Sequence, residues 1–220
     1  MVSPMIELLD HQGNDNTIAN TARVSMQFDG SWEDLPENYT EAQRDKLIGY
    51  LAREQHTSPF RHNSITIRMN IPIFLARQLG KHQVGMSWNE VSRRYVKTDP
   101  TFFQPSEWRA VPTGSIKQGS NGVHEHSDFW KASYCNLLYR IENIYKQMIE
   151  AGVAPEMARM ILPQSMMTQV IWTGSLMAFA HVYKLRIDGH SQVEAQDFAK
   201  ELDTIIRPLF PVAWEALVGK

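Results

Sequence analysis

Residues 62–82 read HNSITIRMNIPIFLARQLGKH. From His62 to Ile71 polar and apolar residues alternate, and Ile65, Ile67, Met69 and Ile71 share one face. That period of two predicts a half-buried strand. Pro72 suits the first turn of a helix, and the residues after it keep helical spacing. Upstream, the pattern predicts a strand at Met5–Leu9, a helix-like stretch at residues 17–25 (TIANTARVS) and a turn-rich acidic segment at residues 29–39. Thr40 and Gln43 have capping-box spacing ahead of the stripe Leu47, Ile48 and Leu51. Pro59 makes residues 55–59 a loop.

Downstream, Gln83–Ser92 reads as irregular and Arg93–Lys97 as a short strand. Residues 98–123 carry Pro100, Pro105, Pro112, Gly114, Gly119 and Gly122, the mark of a long surface excursion. A long amphipathic helix is expected from about Asp128 to Ala151, closed by Gly152. A second helix begins at Pro155 and stops before Pro163. Thr168–Leu185 reads as an apolar helix. Ser191 and Glu194 have the spacing of another capping box, opening a helix that reaches Arg207. Strand and mixed elements first, then mostly helices, predict an α+β fold. A chain of 220 residues fits one domain, 1–220.

The 22 basic and 24 acidic residues give a net charge of −2, so bulk electrostatics point to no nucleic-acid polymer and no membrane surface. Any anion has to be held by a local cluster of Arg and Lys. Cys135 is the single cysteine, which excludes an internal disulfide, and no Cys/His spacing forms a metal site. No signal peptide and no apolar run of about 20 residues is present, which predicts a cytoplasmic protein without a membrane span.

Four segments concentrate polar groups. Arg77–Tyr95, RQLGKHQVGMSWNEVSRRY, follows the predicted strand and helix, so it sits where a scaffold ends. Lys81 or His82 alone is explained by the helix C-terminal dipole. The irregular loop after them, with two adjacent arginines and a glutamate, is not. Arg159 lies in ARMILP at a helix end. Arg186 follows an apolar helix and precedes Asp188, Gly189 and His190, where a plain Arg186–Asp188 ion pair is the simple reading. Gripping a phosphate needs two or more such arginines to converge. The fourth segment is QHTSPFRH, residues 55–62.

Together these segments resemble the flavin-dependent thymidylate synthases. The family signature is Arg-His-Arg, seven or eight residues, then Ser; here Lys81-His82-Gln83 is followed by eight residues and Ser92. TARVS, HTSPFRH, ARMILP, WTGSL and LRIDGHSQVEAQ also match in order, over nearly the whole chain. Lys81 and Gln83 depart from the signature: lysine keeps the charge without the fork, and glutamine carries none.

The resemblance implies an antiparallel sheet packed with several helices. It also implies FAD as cofactor, with dUMP, methylenetetrahydrofolate and NADPH as small-molecule partners. The activity implied is methylation of dUMP to dTMP, in a homotetramer with active sites shared between subunits. Arg186 is implied as the catalytic residue, polarising the pyrimidine ring so that C5 reacts without an enzyme thiol. Gln78, Leu79, Gly80, Lys81, Glu90, Val91, Ser92, Arg93, Arg94, Arg159 and Arg186 are implied on the dUMP side. His56, Ser58, Lys81, His82, Gln83, Glu90, Ser175, His181 and His190 are implied on the FAD side, with Gln192 near the flavin or folate face. Cys135, within a long helix and near no basic cluster, is expected to pack rather than attack. A non-catalytic nucleotide-binding protein of the same fold, and another pyrimidine or folate flavoenzyme, remain open.

Overall fold

The computed structural model describes residues 5–113 and 119–219. Its centre is a four-stranded sheet with strand order β1-β2-β6-β3, built from β1 (Met5–Gln12), β2 (Ser64–Pro72), β3 (Met86–Glu90) and β6 (Met167–Gly174). Every pairing in it is antiparallel. The predicted alternation of β2 holds: Ile65, Ile67, Met69 and Ile71 are wholly buried, while Thr66 and Thr173 hydrogen-bond on the opposite face, 2.9 Å apart. Strand β1 runs three residues beyond the expected Leu9. A register shift between Leu8 and Asp10 reverses the alternation there, which hides the continuation from a period-two reading.

Helices α1 (Asp15–Arg23), α2 (Glu41–Arg53), α6 (Leu176–Arg186), α7 (Val193–Ile206) and α8 (Pro211–Val218) share the apolar core with the buried sheet face. Trp172 of β6 packs edge-on against Trp88 and Phe179, with ring centroids 5.4 Å away in each case. The Thr40–Gln43 capping box forms as expected, with Thr40 N–H donating to Gln43 at 2.8 Å. Two further helices are α3 (Ile73–Leu79), which leaves β2 directly at Pro72, and α5 (Pro155–Ala158). Helix α4 (Ser127–Glu150) matches its predicted span and ends before Gly152, whose φ of +83° suits glycine. No helix among the described residues is long and apolar enough to cross a membrane.

Four expectations are corrected. Residues 168–185 are not one helix: β6 takes the first part and Ser175 caps α6. The run Val170-Ile171-Trp172 masks the alternation that pairing imposes, since Ile171 lies out of phase with buried Val170 and Trp172. Within 83–92, residues 86–90 form β3, because β6 offers them an open edge; residues 93–97 turn instead, with Tyr95 and Val96 N–H both donating to Ser92 O. The expected Ser191–Glu194 box does not form. Ser191 Oγ donates to Leu185 O at 2.8 Å, and Glu194 is taken by Arg109.

The 98–123 excursion is stitched to the body rather than free. Thr101 and Phe103 bond the backbone of Met167 and Ser165, and β4 (Arg109–Ala110) pairs antiparallel with β5 (Asn121–Val123). The expected turn at Gly114 lies outside the described residues.

Candidate functional site

The end of α3, the loop to β3, the end of α6 and the start of α7 converge beside the sheet. Arg186 is the last residue of α6. Its Nε donates to His82 Nε2 at 3.1 Å, and Nη2 approaches the same nitrogen at 2.9 Å. Nη2 also donates to the backbone oxygen of Gln78 at 3.4 Å. Arginine has only donors, so His82 Nε2 must be the acceptor and the imidazole neutral, with its proton on Nδ1. Burial, then the charge of Arg186, then His181, lower the His82 pKa to about 4. Burial also lowers the pKa of Arg186, which stays charged. The Gln78 side chain donates to Gln192 Oε1 at 2.6 Å. The expected Arg186–Asp188 pair is absent: Asp188 accepts instead from the backbone N–H and the ring of His190, both at 2.8 Å. Those bonds, the backbone one first, hold its carboxyl below the usual range.

Arg186 faces a cavity of about 810 Å³ shared with Gln78, Lys184, Asp188, His190 and Gln192. His82 faces a second, of about 560 Å³, with Arg77, Gly80, Lys81, Gln83 and Glu90. The His82–Arg186 contact lies between the two. Gly85, at φ +71°, turns the chain from this loop into β3. Glu90 accepts from Thr168 Oγ1 at 2.8 Å and from the Trp88 indole at 3.3 Å. Arg77, Lys81, Lys184 and Arg186 have no carboxylate partner among the described residues.

The remaining expected residues fall elsewhere in the single chain. Arg94 reaches Glu156 at 3.9 Å, and Arg159 Nε donates to the backbone oxygen of that same Glu156 at 3.4 Å. Two arginines 65 positions apart in sequence thus meet at one residue, near Ser92, whose Oγ accepts from Arg94 N–H. Arg93 donates to Thr98 O. Val91 is exposed and its N–H bonds Gln169 O at 2.9 Å. Leu79 is wholly buried in the core, which leaves only its backbone for a ligand. His56 packs edge-on against Tyr50, and Ser58 opens a short 3₁₀ turn. Ser175 Oγ caps α6 by accepting from Ala178 N–H at 3.3 Å. His181 lines a smaller cavity, of about 260 Å³, with Thr57. Within one chain His56 and Ser58 line none of the cavities that hold Arg186 or His82, whereas His181 stands close enough to His82 to lower its pKa, and Ser175 Oγ faces the Gly85 turn.

Sequence reading missed Arg109 and Ser120, which also wall the larger cavity, and took Glu194 for a cap. No local signal marks Arg109, since its partners stand 11 and 85 residues away.

The profile of the family described as thymidylate synthase complementing protein matches residues 7–212. A flavin-dependent thymidylate synthase of Thermotoga neapolitana is 34% identical over 218 residues, covering 97% of this chain and 90% of that protein. One from Thermus thermophilus is 33% identical over 215 residues, covering 96% and 74%. Among solved structures, a UMP/dUMP methylase, PolB of Streptomyces cacaoi bound with 5-Br dUMP, superposes with a TM-score of 0.85 at 28% identity, covering 97% of this chain and 94% of that one. With its fold and its sequence matched along almost their whole length, the chain belongs to the family of flavin-dependent thymidylate synthases.

Proposed function

We propose that the chain methylates C5 of dUMP to give dTMP, with FAD as its cofactor, methylenetetrahydrofolate as carbon donor and NADPH as reductant. The observation that carries this reading is the group Arg77, Lys81, Lys184 and Arg186. Four cations border two adjoining cavities with no carboxylate partner among the described residues. In a chain of net charge −2, such a cluster is completed by ligand phosphates.

The residues present fit a flavin dinucleotide: Lys81 supplies a cation, Gln83 and His82 supply polar contacts, and Trp88 supplies an aromatic wall beside them. When bound, the flavin supplies the hydride that completes the methyl group. In the overall change dUMP loses its C5 hydrogen as a proton and gains the methylene carbon. Tetrahydrofolate leaves, and the added hydride is accounted for by oxidation of NADPH to NADP⁺.

The chain's own contribution centres on Arg186. His82 and Gln78 O occupy its Nε and Nη2 hydrogens, leaving both hydrogens on Nη1 for a ligand. A guanidinium held this way stabilises negative charge on a pyrimidine N3–carbonyl edge, which enriches C5 in electrons. No thiol is needed for that. Cys135 sits on α4, its Sγ 3.5 Å from Gln104 Oε1, and lines none of the three cavities described above. Arg94, Arg159 and Ser92 supply a phosphate-side grip, and the scatter of the other flavin-side residues suits a site completed by neighbouring copies in a homotetramer.

Tritium release from 5-³H-dUMP, with methylenetetrahydrofolate, NADPH and FAD present, tests the reading. Release coupled to dTMP formation is expected. A flavin-loaded protein that binds dUMP and releases no tritium would instead be the non-catalytic relative. Parallel reactions with labelled UMP show whether the 2′-hydroxyl is admitted, as the name of the Streptomyces cacaoi methylase says of that protein.

A further inference from the structure

We propose that Arg109 is a positioning residue for the chemistry at Arg186, acting through Glu194 and the first turn of α7; this rests on the function proposed above. Arg109 Nη2 donates to both oxygens of Glu194, at 2.7 and 2.9 Å, and its Nε donates to Ser120 Oγ at 2.8 Å. Side-chain exposure is 22% for Arg109 and 9% for Glu194, which makes this the most enclosed ion pair among the described residues.

Its location gives it a role beyond cohesion. Arg109 belongs to the 98–123 excursion, whereas Glu194 is the second residue of α7. Two positions before Glu194, Gln192 holds the Gln78 side chain, and the Gln78 backbone oxygen accepts from Arg186. One run of polar contacts and a single helical turn therefore leads from the excursion to the guanidinium. Arg109, Ser120 and Gln192 also wall both the 810 Å³ cavity and a more aromatic recess of about 350 Å³ beside it. The pair thus stands where the two spaces meet.

An enclosed ion pair is a poor choice for stability alone, since packed apolar residues serve as well or better. What it provides is one fixed geometry: a two-pronged carboxylate–guanidinium contact tolerates little sliding. With the pair in place, the N-terminal turn of α7 has a single position, and so does Gln192.

The test compares the wild type with Arg109→Gln/Glu194→Gln, which removes both charges and leaves neither buried alone, and with the exchange Arg109→Glu/Glu194→Arg. For the neutral pair the expected result is a fall in kcat of about tenfold to a hundredfold, the scale of a small misplacement near reacting groups. KM for dUMP and the melting temperature should stay near wild type, and the exchanged pair should recover much of the kcat. A folded neutral pair with wild-type kcat overturns the proposal, as does a loss that only tracks the folded fraction. Amide hydrogen exchange over residues 184–195 separates this from failure of the functional reading. If the wild type makes no dTMP, that reading fails on its own. Faster exchange over 184–195 in the neutral pair still supports positioning, and unchanged exchange there overturns it.

Discussion

At the scale of single residues, the arrangement that matters is a guanidinium resting on a neutral imidazole. In the proposed role Arg186 stabilises charge on the pyrimidine, so Arg186→Ala should lower dTMP formation by about 10²-fold or more, the size of a lost electrostatic stabiliser. The circular dichroism spectrum should be unchanged; retained turnover would contradict the role. His82 carries a pH signature. Its folded pKa is about 4 and its ordinary value 6.5, so between those values the unfolded chain binds a proton that the folded chain refuses. Burial first, and then Arg186 and His181, keep His82 neutral in the fold, so the stability linked to it is complete above about pH 6.5, falls as the pH drops, and levels off below about 4. Melting temperatures across that window should fall more steeply for wild type than for His82→Gln, which accepts the same bond without titrating. Parallel curves would show that the fold does not hold the imidazole neutral. Both residues stood out in the sequence, but their contact did not, because 104 positions separate them.

Secondary-structure elements were legible where their own residues decide them. β2 alternates cleanly, and Thr40 with Gln43 closes a cap from within four positions. Strand β3 was not legible, since its pairing depends on β6. The pairing has a tight point at Gly174, which stands opposite Met86: a Cβ there would lie 2.2 Å from Met86 Sδ. The obstructing atoms are the mobile end of half-buried Met86, so Gly174→Ala should destabilise the fold by about 1 kcal/mol, the low end of the usual cost of overpacking. In denaturant unfolding, adding Met86→Ala should cost less than the sum of the two single changes, because it clears the same space. Strict additivity would mean that the strand moves instead of the side chain. Ser191 and Glu194 show the opposite case, a correct local pattern overruled by a charge from elsewhere, since Arg109 offers Glu194 a stronger partner than a helix N-terminus does.

At the scale of the whole molecule, α4 is the part least accounted for by one chain. Its buried residues are Ser127, Leu138 and Tyr145, while Trp130, Leu137 and Ile144 remain 46%, 54% and 48% exposed. They recur every seven residues, the spacing of a seam between helices. This is the surface expected to meet other copies in the proposed homotetramer. Leu137→Glu with Ile144→Glu should reduce the mass seen by light scattering, and tritium release should fall with it because the shared sites come apart. A fully active double variant of unchanged mass would place the interface elsewhere.

The sequence alone determined the α+β class, the positions of most helices, the order of the polar segments and the resemblance that they carry. Each follows from local periodicity, from caps a few residues apart, or from motifs read in line. Only the tertiary structure decided that Arg186 lies on His82 rather than pairing with Asp188, that Arg109 holds Glu194, and that β3 and β6 pair. These contacts join residues far apart in the chain, and each was selected in competition with a nearer partner or a simpler local pattern. Which competitor wins depends on burial and on the geometry of approach, and neither exists until the chain has folded.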